Sequence, residues 1–153
     1  GLVRAQDYKV VLTGEGSDEV FGGYDIFKES KIRHFWAQNP DSSFRPLLLK
    51  RLYPYLELSK GRGHAYLQQF FRAGLDDPDS LIFSHLPRWT TTAKIKEFYS
   101  EEFKSLLREN PVDHLASTFP GQIRNWHPFN RAQYLEAKPS WEVICFRRRV
   151  TGC

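Results

Sequence analysis

The sequence predicts an α/β chain in which one strand is followed mostly by helices. Three observations carry that reading. Residues 9–12 form a short, β-branched apolar run that stops at the glycine-flanked acid Glu15, as a buried strand does on entering a tight turn. From Ser17 onward apolar residues recur at three- and four-residue spacing, which is the helical period. At 153 residues, 41% hydrophobic and 15% aromatic, the chain has material for one globular core.

Residues 2–7 read as the end of a helix that hands over to the strand at 9–12. A single strand needs sheet neighbours, and the chain opens on Gly1-Leu2-Val3 without methionine, so a fragment or processed chain is expected. Gly14 and Gly16 permit backbone angles closed to other residues and let a ligand approach the main chain. Ser17 offers a hydroxyl N-cap, and Asp18 and Glu19 then fall in a first helical turn, where carboxylates suit the dipole. Val20, Phe21, Tyr24, Ile32, Phe35 and Trp36 continue a helix or broken helix to about Gln38, ended by Asn39-Pro40-Asp41.

Phe44, Leu47, Leu48, Leu52 and Tyr55 make the next apolar stripe, opposite Arg45, Lys50 and Arg51, with a break at Gly61 and Gly63. Tyr66, Leu67, Phe70 and Phe71 line a further helix that Gly74 can terminate. Asp76-Asp77-Pro78-Asp79 is a loop with Asx-turn chemistry; its spacing is not that of an EF-hand, so it reads as a solvated acidic loop. Thr90 to Thr92 can cap a helix carrying Ile95, Phe98 and Tyr99, and Ser100 caps another with Phe103, Leu106 and Leu107, closed before Pro111. Pro120-Gly121 is a turn, and Pro128 opens a helix with Phe129, Ala132, Leu135 and Ala137.

The chemistry concentrates in the turn after the strand, where Glu15, Asp18 and Glu19 lie within five residues. A Walker A loop needs a Gly-Lys-Ser/Thr that is absent, and the dinucleotide fingerprint needs a glycine where Glu19 stands. Bare carboxylates repel phosphate, so so acidic a loop should meet it through a divalent cation. The plainer alternative is an ordinary turn whose acids cap the next helix.

The run Val10-Val-Leu-Thr-Gly-Glu-Gly-Ser-Asp-Glu-Val-Phe-Gly-Gly-Tyr24 closely resembles the signature of glutamine-hydrolysing asparagine synthetases of class B, in their C-terminal ATP-pyrophosphatase domain. The similarity continues to about Lys138, most clearly in Arg131-Ala-Gln-Tyr-Leu-Glu-Ala-Lys138. The resemblance implies a partial adenine-nucleotide alpha-hydrolase-like fold. It implies a ligase that uses ATP and Mg²⁺ to activate aspartate as β-aspartyl-AMP, which glutamine-derived ammonia converts to asparagine. Carried over by position, Thr13 and Gly14 would touch the nucleotide, Asp18 would hold Mg²⁺ on the pyrophosphate, and Glu15 would serve acyl transfer. No role is carried to Glu19.

The family's other phosphate loop, Ser-Gly-Gly-x-Asp-Ser, and the cysteine nucleophile of its N-terminal glutaminase are both absent from the sequence. The chain is therefore expected to hold half an ATP site and to make no asparagine alone. A related adenylating amidotransferase, a β-lactam synthetase-like enzyme and a non-catalytic helical interaction module stay open as alternatives. Residues 1–138 form the expected family segment. The remainder, 139–153, breaks the helical pattern and reads as a frameshifted or non-native tail. One back-translation with a single base restored after Lys138 gives TFLGGYLLSSQGDRV, similar to the family's continuation. The Arg147-Arg148-Arg149 run and both cysteines, Cys145 and Cys153, would then be accidental.

Composition excludes several classes. Net charge is +4 with the signs interspersed and no basic stripe, so nucleic acid is not an expected partner. No apolar run approaches a membrane span and no signal peptide opens the chain, so a cytoplasmic setting is expected. His34, His64, His85, His114 and His127 are scattered without metal-ligand or triad spacing and read as surface or packing residues. Trp89 and Trp126 read as core aromatics.

Overall fold

A computed structural model describes residues 5–7, 9, 14, 16–54, 62–107 and 110–138. The expected strand lies outside these residues apart from Lys9, as do Thr13, Glu15, Tyr55, Gly61 and the tail 139–153. The described residues form α-helices and 3-10 helices joined by turns and loops, with no strand among them.

The helix expected from Ser17 is broken, and two glycines define the break. Helix α1 spans Ser17–Phe21, and its N-cap is Gly16, left-handed at φ 93°, rather than Ser17. Ser17 is thus the first helical residue, because the chain enters through a conformation that only glycine adopts readily. Gly22, at φ 73°, closes the helix, and the Gly23 N–H donates to Asp18 O at 2.9 Å, satisfying a terminal carbonyl.

Helix α2, Asp25–Ala37, buries Ile26, Phe27, Glu29, Ser30, Arg33 and Trp36 on one face. Two of those residues carry charge and need partners. Glu29, 1% exposed, takes both ends of the Arg88 guanidinium (Nη2 to Oε1 at 2.7 Å) and the Tyr53 hydroxyl. Arg33 lies over the Phe83 ring at 3.9 Å and donates to the carbonyls of Phe71 (3.1 Å), Ala73 and Phe83. Those carbonyls stand at the end of one helix and in the loop after it, so a single guanidinium fixes both.

The stripe that begins at Phe44 forms a 3-10 helix, Arg45–Arg51. Its inward residues are Pro46 and Leu49, followed by Leu52, a period of three, while Phe44 and Leu47 face solvent. Helix α3, Arg62–Phe71, adds Leu67 and Phe71. With Trp36, Leu49, Leu52, Leu75 and Phe83 these make the main core. Gly74 turns the chain at φ 71°; a methyl there would meet Leu86 Cδ2 at 2.2 Å.

The threonines expected to cap a helix instead lie within one. Helix α4, Leu86–Ala93, carries Pro87 in its first turn, and the Thr90 and Thr91 hydroxyls donate back to Leu86 O and Pro87 O at 2.7 and 2.8 Å. The chain tightens into a 3-10 helix, Lys94–Phe98, that leaves Ile95 and Phe98 exposed. Helix α5, Glu101–Leu106, has the expected Ser100 cap, whose Oγ accepts from Phe103 N at 3.2 Å. Pro111 opens helix α6, Pro111–Ser117, behind an Asn110 cap. A 3-10 helix, Gly121–Asn125, buries Ile123, and helix α7 covers residues 128–138 and buries Arg131, Ala132 and Leu135.

Candidate functional site

The acid-rich turn is held from below by α7. A Cβ on Gly22 would stand 2.7 Å from Phe129 Cζ, so the missing side chain is what admits the Phe129 ring. Gln133 Nε2 donates to Val20 O, and Ala132 packs with Ile26 and Phe27 in a second small core. Helix α1 is therefore seated on α7 at one end and joined to α2 through the Gly22–Gly23 turn.

The seat aims the carboxylates. Asp18 is exposed in the first turn of α1, and its Oδ1 would lie 2.1 Å from a Cβ on Gly23. Glycine at 23 is thus the condition for that carboxylate to rest against the backbone. Asp18 makes no side-chain hydrogen bond or ion pair to another described residue. Glu19 turns the other way and accepts from the Tyr24 hydroxyl at 3.2 Å. Its Oε2 is shielded from solvent without a hydrogen-bond partner among the described residues. The Tyr24 phenol is pushed above its ordinary value, chiefly by that hydrogen bond, then by desolvation and the charges of Glu19, Asp18 and Glu136.

Glu136, on α7, brings a second cluster to this corner. His85 Nε2 stands 3.1 Å from Glu136 Oε1, and His85 Nδ1 is 2.8 Å from the buried Ser84 hydroxyl. Of the sequence-derived site residues, Gly14 is described and exposed, with nothing within 4 Å of where its side chain would be. Thr13 and Glu15 lie outside the described residues. Sequence reading missed Gly23, Tyr24 and Glu136 as parts of the site. Gly23 and Tyr24 close the same signature, whereas nothing local marks Glu136, which arrives from another helix.

A divalent cation fits this corner in one way. An exposed carboxylate such as Asp18 suits Mg²⁺, which keeps several waters and takes one or two carboxylates plus phosphate oxygens. Among the described residues no group of three or more His, Cys, Asp or Glu could hold a metal unaided. Asp18 is the residue that would contact it.

The corner thus presents one exposed acid, Asp18, framed by Gly22 and Gly23 on a helical layer. Residues 1–147 match the sequence model of the family described as asparagine synthase, and the chain belongs to that family. Membership supports an adenine-nucleotide hydrolase-like domain. Among curated proteins the chain is similar to Amidase chyE of Penicillium rubens, 31% identical over 144 residues, covering 89% of this chain and 21% of that protein. It is also similar to Amidase chry2 of Gibberella zeae, 28% identical over 145 residues with the same coverage of 89% and 21%. The chain thus spans about a fifth of the length of the curated relatives it matches. No solved structure matches it. No described helix is long and apolar enough to cross a membrane.

Proposed function

We propose that this chain supplies the acidic half of an ATP-pyrophosphatase site in an enzyme that activates a carboxylic acid as its acyl-adenylate and passes the acyl group to ammonia. The observation that carries it is the exposed Asp18 carboxylate, lodged on Gly23 inside the signature run of the family. In the first step a substrate carboxylate oxygen attacks the α-phosphorus of ATP and pyrophosphate leaves. Mg²⁺ bound there would neutralise the pyrophosphate charge. Asp18 would contribute a hard oxygen ligand to it, and Thr13 and Gly14 would touch the nucleotide. In the second step ammonia attacks the acyl carbon, the acyl–oxygen bond breaks, and AMP leaves with its electron pair. Glu15 takes the proton that the nitrogen must lose.

Aspartate as the acid and glutamine as the source of ammonia, giving asparagine in the cytoplasm, is the first reading. The missing Ser-Gly-Gly-x-Asp-Ser loop and the glutaminase domain would come from other parts of a full-length protein. Both relatives named above are called amidases, which favours a second reading: a related adenylating amidotransferase acting on a different acid. The test is a chimera in which residues 1–138 replace the matching segment of a full-length family member. Release of AMP and pyrophosphate dependent on aspartate supports the first reading, and dependence on another acid supports the second. A folded chimera that releases neither with any acid leaves a non-catalytic helical module.

A further inference from the structure

A cavity of about 550 Å³ opens between α2 and α7, on the side of Gly22 where Phe129 packs. Phe27, Phe129 and Ala132 form its apolar walls. Its polar lining is basic or neutral: Lys28, Lys31, His34, His127 and Ser30, with no carboxylate among the lining residues. The two lysines differ in freedom. Lys28 is tied to Asp25 at 3.0 Å, while Lys31 is exposed and makes no ion pair or hydrogen bond to another described residue. Ser30 lines the cavity, and its hydroxyl makes no hydrogen bond to another described residue, so it is open to a ligand there.

We propose that this cavity binds a small carboxylate with a flat apolar body. The body lies along the wall that the touching rings of Phe27 and Phe129 make (centroids 5.3 Å apart), and the anionic end meets Lys31 with the Ser30 hydroxyl donating to it. The volume falls in the range of small-molecule sites, which combine apolar walls with a few placed polar groups. His34 strengthens the choice of an anion. It does so only through its surroundings: burial and the positive charges of Arg131 and Arg33 push its pKa down to about 4, so near neutral pH the ring is neutral and the charge at the cavity comes from Lys31. The inference stands apart from the adenylation chemistry, since it uses neither Asp18 nor Glu15.

The test uses the 153-residue chain without nucleotide, titrated with naphthalene-2-carboxylate and followed by amide chemical shifts. Saturable shifts are expected at Phe27, Ser30 and Ala132. Naphthalene-2-methanol, of the same shape but neutral, should bind about tenfold or more weakly. Lys31→Glu, an exposed substitution that leaves the core alone, should cost the acid a similar factor and leave the alcohol unchanged. Ser30→Ala should weaken the acid several-fold. Equal affinity for acid and alcohol, unchanged affinity in Lys31→Glu, no saturable binding, or shifts centred elsewhere would each overturn the proposal. Because ATP is absent, none of these results bears on the adenylation reading.

Discussion

Arg33 is charged and enclosed, and it remains stable there because each of its three guanidinium nitrogens donates to a carbonyl. Desolvation lowers its pKa to about 10, so it keeps its proton at neutral pH. Arg33→Ala would strand the carbonyls of Phe71, Ala73 and Phe83 and open a cavity beside Phe83. The expected loss is about 3–5 kcal/mol, read as a shift in the midpoint of urea unfolding. His34 gives the fold a pH dependence. Its pKa falls from an ordinary 6.5 to about 4, so between those values the unfolded chain binds the proton more tightly. Its contribution leaves stability unchanged above pH 6.5 and lowers it as pH drops toward 4. Thermal melts of His34→Gln should be flatter across that window than those of the parent chain. At the site, Gly23→Ala would drive its methyl into the Asp18 carboxylate. In the chimera it should raise the KM for Mg–ATP while leaving the melting temperature close to that of glycine. None of these buried partners was legible in the sequence. Charged residues at helical spacing look like a solvated face, and Glu29, Arg33 and Arg88 meet only in three dimensions.

The elements were legible where a local rule decides them. Ser100 caps α5 as its hydroxyl predicts, and Ser100→Ala should cost about 1 kcal/mol in urea unfolding. Pro128 opens α7, and the broken helix after Ser17 breaks at its paired glycines. The misreadings share a cause: a second backbone option with the same residues. At Arg45–Arg51 the expected stripe of Phe44, Leu47, Leu48, Leu52 and Tyr55 places Phe44 and Leu47 inward; Leu52 is buried as expected, but those two are exposed. The chain adopts a period of three, which buries Leu49 instead. Thr90 and Thr91 are strong cap residues, but the helix, with Pro87 in its first turn, starts earlier and their hydroxyls bond back along it. The left-handed glycines are the sensitive joints between elements. Gly22→Ala meets both an unfavourable φ and the Phe129 ring, and a loss of about 1–3 kcal/mol is expected by the same measurement. Its effect should extend to the naphthalene-2-carboxylate cavity, which Gly22 and Phe129 both line.

The whole molecule presents more apolar surface than its core accounts for. Phe21 is 82% exposed and Phe98 88%, on opposite stretches of the chain, and such patches promote association. Sedimentation of the 153-residue chain should therefore show self-association that rises with concentration; a strict monomer would mean those faces are tolerated in water. The family was legible because the signature is contiguous, whereas the supporting acid Glu136 comes from a helix more than a hundred residues later. We propose that the tail after Lys138 is frameshifted or non-native, and the nucleotide sequence decides it: a single restored base should recover the family-like string, and codons from which no frame restores it would end the idea. The central claim is the division of labour between two acids of one turn, metal and pyrophosphate to Asp18, the transferred proton to Glu15. Exchange of labelled pyrophosphate into ATP, in the chimera and with its preferred acid, separates them. Asp18→Asn should suppress exchange itself. Glu15→Gln should leave exchange largely intact while cutting ammonia-dependent amide formation by about 10²–10⁴. Equal loss of exchange and amide formation in both variants would show the two acids working as one metal-holding unit, and the separate role given to Glu15 would be wrong.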